Sequence, residues 1–161
     1  MLLASLGNYI KEVNMNIDEL MKNDASFSIP SFIATADNTY MMLQTAIMLG
    51  NLSRIKTKIS DNLFQKYQSI IDDFNNNGLR QMYDDLAVKK TEILSVNKDD
   101  NKYYIKVLIK SAAKDYVVDK NNLEYRYGIN NQMIEKNNYL TFSKVISNAK
   151  DNWLLEKIVS N

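Results

Sequence analysis

The side chains of this sequence that could carry chemistry are few and of restricted type. It has no histidine and no cysteine. That removes the commonest general base, the commonest transition-metal ligand, thiolate nucleophiles, zinc-thiolate sites and disulfides. What remains is carboxylate, lysine and tyrosine. Two acidic pairs stand out, Asp72-Asp73 and Asp84-Asp85. Adjacent positions of a helix point about 100° apart, so each pair reads as solvated surface and not as a metal grip. Asp99-Asp100, flanked by Asn97 and Asn101, has the composition of a hairpin turn; it lacks the spaced ligands and closing Glu of a calcium loop. Arg54, Lys56 and Lys58 form a small basic cluster suited either to phosphate contact or to plain solvation. Tyr103-Tyr104 lies among Lys102, Lys106 and Lys110, a mixture found on base-stacking platforms. On a strand, though, neighbouring rings face opposite sides, and only one could join such a surface. Nothing in these constellations assigns a catalytic residue, a metal site or a cofactor.

The whole chain supplies no field to compensate. Its 20 basic and 19 acidic residues give a net charge of +1, so nucleic acid is not an expected partner. A chain of 161 residues, 45% apolar and 24% charged, is enough for one folded domain with a real core. The longest apolar runs, such as Tyr40-Met41-Met42-Leu43, fall far short of the roughly 18 residues that span a bilayer. No signal-peptide pattern is legible at the N-terminus. A cytoplasmic or peripherally membrane-associated location is the expectation.

The elements that must position these residues begin with a heptad seam. Leu3, Leu6, Ile10, Val13, Ile17 and Leu20 recur at spacings of three and four, predicting an amphipathic helix over residues 1–23. That helix could pack on its own domain, pair with a protein partner or a second copy, or lie on a membrane. Its charges, Lys11, Glu12, Asp18, Glu19 and Lys22, sum to minus one, which argues against the membrane. Residues 24–161 then form the main domain. Ser28-Ile29-Pro30 opens a second helix running to Gly50, with Phe32, Ala36, Tyr40, Leu43 and Ile47 on one face. Ser60 caps a third helix, in which Leu63, Phe64, Tyr67, Ile70, Ile71 and Phe74 recur until Asn75-Asn76-Asn77-Gly78. Met41, Met42 and Met48 suit either core or pocket lining. After about Leu86 the period falls to two. Val88 to Ser95, Tyr103 to Val118, Leu123 to Tyr127, Asn138 to Ile146 and Trp153 to Val159 read as strands, the last two joined by residues 147–151. Helices followed by turn-linked strands make an α+β fold with helices packed on an antiparallel sheet.

The segments Asp24-Ala25-Ser26-Phe27-Ser28, Tyr40-Met41-Met42-Leu43-Gln44-Thr45-Ala46, Leu52-Ser53-Arg54-Ile55 and Ile59 to Gln68, in that order, resemble the Tim44-like domain, closest to its bacterial members. Gly78, Asp115-Tyr116-Val117-Val118-Asp119 and Trp153 extend the resemblance over roughly residues 24 to 159. It implies a cone related to the nuclear-transport-factor-2-like superfamily, with helices closing over a curved antiparallel sheet around an apolar cavity. It also implies a non-catalytic module that holds an apolar or lipid-like ligand, or tethers a protein partner near a membrane. Phe32, Tyr40, Leu43, Phe64 and Tyr67 from the helices, with Val107 and Ile109 from the sheet, are then the expected pocket wall. Two other readings stay open. One is self-association through the N-terminal helix. The other is a small acid/base enzyme on the same scaffold, whose mark would be a carboxylate facing the cavity near a tyrosine.

Overall fold

The computed structural model describes residues 2–146 and 152–161; within α1 it leaves the side chains of Leu2, Val13 and Met15 outside that description. The proposed link over residues 147–151 lies outside it too. Among the described residues the chain forms helices α1 (Leu2–Asn23), α2 (Ile29–Leu49) and α3 (Asp61–Asn76), then strands β1 (Leu79–Asp99), β2 (Lys102–Asp119), β3 (Tyr125–Val145) and β4 (Leu154–Ser160). The strands make one antiparallel sheet in the order β1-β2-β3-β4. The predicted α+β class, helices first and a meander afterwards, is the observed one.

Local chemistry sets the helix ends. The Ser28 side chain accepts from the Ser31 amide at 3.2 Å, and Pro30 occupies the first turn of α2, where no donor is lost. Gly50 closes α2 at φ +66, a left-handed conformation that costs glycine nothing. Ser60 accepts from the Leu63 amide at 3.2 Å to start α3, and Asp61 sits beside the positive helix end. The linker before α3 is tied to the sheet, since Ser60 N–H donates to the Leu155 carbonyl at 2.9 Å and Leu155 N–H to that of Lys58 at 2.8 Å.

The core lies between the helices and one face of the sheet. Along β2 the side chains of Tyr103, Ile105, Val107 and Ile109 are buried, while Tyr104 and Leu108 between them are half-buried and Lys106 and Lys110 are exposed. This period of two defines an inner face covered by the helices and an outer face in solvent. Phe32 of α2 meets Phe142 of β3 edge-on at 5.6 Å and Trp153 at 5.1 Å, and Phe27 completes the aromatic cluster. Trp153 stands just ahead of β4 and not within it.

The strands differ from expectation in two places. β1 starts at Leu79, well before Val88, and β3 is one continuous strand where two were expected. Register shifts between Asp84 and Ala87 and between Ala113 and Asp115 interrupt the two-residue alternation. Such bulges bend and twist a sheet. Gly128 is required within β3: at φ +103, a Cβ there would meet the Tyr116 Cα at 2.6 Å.

Candidate functional site

Tyr40, Gln44 and Ile47 repeat every three to four residues along α2, so they share one stripe. That stripe faces the sheet where the apolar run of β2 changes character. After Ile109 the inner positions become Ser111, Ala113 and Asp115. A cleft of about 160 Å³ opens there, walled by α2, by Tyr67 of α3, by Tyr83 of β1 and by Ile134, Lys136 and Asn138 of β3.

Its floor is a closed polar network. The Tyr40 hydroxyl and Ser111 Oγ share a hydrogen bond at 2.8 Å. Asn138 Nδ2 donates to Ser111 Oγ and to the Ile109 carbonyl, both at 2.9 Å, and Ser160 Oγ donates to Asn138 Oδ1 at 2.7 Å. On another wall Asp115 pairs with Lys136 and accepts from Gln81 Nε2 at 2.8 Å. The Lys136 ammonium also lies 5.5 Å from the centre of the Tyr83 ring. The two opposite charges neutralise each other inside the cleft.

Three polar groups on the wall behave differently. Gln44 is 8% exposed and lines the cleft, yet its amide has no hydrogen-bond partner among the described residues. Among the described residues no fully enclosed polar atom is left unsatisfied, so this amide is reached through the cleft. The Tyr67 and Tyr83 hydroxyls likewise have no partner among the described residues. Burial pushes the Tyr67 phenol up to about 12 and that of Tyr83 further up; Tyr40 is raised as well, mainly by burial and against its bond to Ser111. All three are therefore neutral donors at physiological pH.

Of the residues expected to form a pocket wall, Tyr40 and Tyr67 line this cleft. Phe32, Leu43, Val107 and Ile109 are in the continuous core, each 1% exposed or less. Phe64 is half-buried against that core, with the Lys56 ammonium 5.7 Å from its ring centre. Gln44, Tyr83, Ser111, Asp115, Lys136 and Asn138 were not anticipated. For Gln44, Ser111 and Asp115 the signal is in the sequence: polar residues at positions where the period of α2 or β2 demands an inward side chain.

A second, more apolar groove of about 210 Å³ adjoins the cleft at Ile47. Met48, Ile71, Phe74 and Leu79 line it, and Arg80 and Lys120 stand on its rim. Arg80 Nε donates to the Met48 carbonyl at 2.9 Å, at the end of α2, and Lys120 Nζ to Asn75 Oδ1 at 2.7 Å, at the end of α3. Both cations thus lie at the negative ends of helices.

The remaining constellations have structural employments. Asp72 accepts from Gln68 at 2.8 Å on the exposed side of α3. Asp84-Asp85 is on β1, not on a helix. Asp84 accepts from the Tyr116 hydroxyl, and Asp85, in a left-handed conformation, pairs with Lys114 at 2.5 Å. Asp100 turns the β1–β2 hairpin at φ 50. Among the described residues no group of three or more acidic side chains is placed to hold a metal. Tyr103 and Tyr104 face opposite ways; Tyr103 is buried, and its hydroxyl accepts from Asn23 Nδ2 at 3.0 Å.

The seam of α1 divides in two. Ile17 and Leu20 are buried in the core, and Asn16 Nδ2 donates to the Val96 carbonyl at 2.6 Å. Leu3, Leu6 and Ile10 are 86%, 54% and 50% exposed. The Val13 side chain is outside the described residues.

Set beside known proteins, residues 13–160 match the family model described as Tim44-like domain. No curated protein matches the chain. Solved structures do match, 31 chains in all. One is the crystal structure of the intermembrane space region of the chloroplast protein ARC6, 11% identical, covering 80% of this chain and 95% of that one, with a TM-score of 0.46.

Proposed function

The chain belongs to the Tim44-like domain family, and from that premise we propose that it is a non-catalytic binding and docking module whose occupant enters the cleft beneath α2 and α3. The observation that carries this reading is the wall formed by Gln44, Tyr67 and Tyr83, hydrogen-bonding groups held near one small volume without protein partners. These groups open onto the cleft, where water or an occupant satisfies them. Sites that keep such groups use them on something else. The apolar groove beyond Ile47 extends the cleft, so an amphiphilic occupant fits: a polar head among the tyrosines and an apolar body across Ile47 towards Phe74 and Leu79. The apolar or lipid-like ligand expected from the family resemblance keeps its place in this reading as the body of that molecule. Tethering close to a membrane rests on the family alone; among the described residues no helix is long and apolar enough to cross one.

The acid/base alternative has its mark, a carboxylate near a tyrosine, since Asp115 and Tyr83 share the cleft. Asp115, however, is engaged by Lys136 and Gln81. Both of its oxygens are thereby occupied by protein donors, Oδ1 by Gln81 and Oδ2 by Lys136. This supports binding over turnover.

Cleft occupancy is open to a direct block. Ile134 is only half-buried, so Ile134→Trp lays a ring over the mouth without overfilling the core. The variant is expected to keep its fold, checked by its melting curve, and to lose whatever molecule copurifies with the wild-type chain.

A second reading concerns α1, whose Leu3, Leu6 and Ile10 form an exposed apolar stripe. A second copy laid along that stripe would extend the heptad seam. Because Ile17 and Leu20 belong to the core, removing the whole helix would damage the domain. The triple substitution Leu3→Glu, Leu6→Glu, Ile10→Glu isolates the stripe. It is expected to leave the melting temperature within about 2 °C of wild type, as surface changes do, while turning a dimer into a monomer by sedimentation. A mass that is the same before and after the substitution removes this reading.

A further inference from the structure

Resting on the cleft reading above, we infer that the group the cleft accepts is an uncharged planar carbonyl of the carboxamide type, held by the Gln44 amide and the Tyr67 and Tyr83 hydroxyls. Each wall of the cleft offers its own hydrogen-bonding groups. Gln44 presents a carbonyl acceptor and an amide donor side by side, the complement of another carboxamide edge. Tyr67 and Tyr83 present hydroxyl donors, which favour a carbonyl acceptor. A carboxamide satisfies all of these at once: its oxygen accepts from the Gln44 N–H and from one phenol, and its two N–H groups donate to the Gln44 carbonyl and to the oxygen of the other phenol.

Charge narrows the class further. Asp115 and Lys136 already pair with each other on the sheet wall, so that wall carries no net charge to match an ion. An ammonium or a carboxylate entering here would be desolvated without a free counter-charge, which opposes its binding. A neutral head meets no such penalty. Size agrees. A cleft of about 160 Å³ has room for an amide head. Ile47, Leu86 and Ile134 provide apolar cover for the carbon skeleton behind that head.

Such a head could belong to a free small molecule or to a Gln or Asn side chain of a docked protein. The test uses probes of one shape and three charges: benzamide, benzoate and benzamidine, titrated into the full chain by NMR with resonances assigned around the cleft. Benzamide is expected to shift the Gln44 side-chain amide and the backbone signals of Tyr67, Tyr83 and Ile134. Benzoate and benzamidine should bind at least about ten-fold more weakly, because a site with fixed hydrogen-bonding groups rejects a mismatched analogue strongly. Gln44→Leu is expected to erase the benzamide preference. It should not lower the melting temperature, since it replaces a polar group without a protein partner by an apolar one. Tyr67→Phe offers a second variant that keeps the ring and removes only the donor.

A further titration separates the sources within the class. Tighter binding of N-acetylglutamine methylamide than of benzamide assigns a partner's side chain, and the reverse assigns a free aromatic amide. Preference for benzoate or benzamidine, with shifts still confined to the cleft, overturns the carboxamide class and leaves the cleft as the ligand site. Shifts elsewhere only, with the cleft signals unmoved by every probe, overturn both.

Discussion

Replacing Asp24 by alanine is expected to destabilise the protein by about 3–5 kcal/mol, the usual cost of leaving a buried charge without its partner. Asp24 and Lys144 pair at 2.5 Å with both side chains only 8% exposed, and the Lys144 ammonium lies 5.9 Å from the centre of the Trp153 ring. The pair joins the α1–α2 connection to β3 across 120 residues of chain. Ser26 donates to the same carboxylate through its amide at 3.0 Å and its hydroxyl at 2.5 Å. Chemical denaturation measures the loss, and a double substitution gives the control. Asp24→Leu with Lys144→Met removes both charges and is expected to recover most of the stability. If the double variant is as unstable as the single one, packing and not the orphaned ammonium is responsible.

The same pair sets an acid limit. Burial alone would raise the Asp24 pKa, but the hydrogen bonds from Lys144 and Ser26 outweigh it and hold the carboxyl below its ordinary value. A depressed pKa means that the unfolded chain takes up the proton first as pH falls. The contribution is therefore complete above the unfolded Asp value of about 3.9 and is lost as pH drops below it towards the folded value. Asp24→Ala should show a correspondingly flatter dependence of stability on pH in that acidic window.

Phe32→Ala is expected to cost a similar about 3–5 kcal/mol, the range for emptying a large aromatic site in a core. For a chain of this length that corresponds to a fall in Tm of about 6–20 °C. Phe32 is 1% exposed and packs edge-on against both Phe142 and Trp153. The substitution discriminates between two roles. A core residue loses stability and leaves the affinity of the folded fraction for a cleft probe such as benzamide unchanged; a ligand-contacting residue loses affinity with little change in Tm. The geometry assigns Phe32 the first role, and Gln44 is the residue assigned the second.

That contrast marks how far the sequence could be read. The ends of α2 and α3 were legible because their signals are local: Ser28 with Pro30, Gly50 and Ser60 act within a few residues of themselves. The inner face of β2 was legible because Tyr103 to Ile109 alternate without interruption. β1 was read too short because Leu79 to Leu86 runs into a bulge, with Asp85 in a left-handed conformation, which breaks the alternation that identifies a strand. β3 was read as two pieces because Gly128 and Asn130-Asn131-Gln132 are exposed and polar, and only pairing with β2 makes that stretch a strand. The site suffered for a related reason. Large apolar residues at core spacing, such as Phe32, Leu43, Val107 and Ile109, are the strongest pattern and form packing. The cleft is made by the exceptions to that pattern, Gln44, Ser111, Asp115 and Asn138, and it takes the fold to bring them together.

Native mass spectrometry of the protein purified under mild conditions, run beside Ile134→Trp, asks whether the cleft is occupied. A stoichiometric adduct on the wild-type chain, absent from the folded variant, is the expected result. A clean wild-type mass, or the same adduct on both proteins, would contradict it.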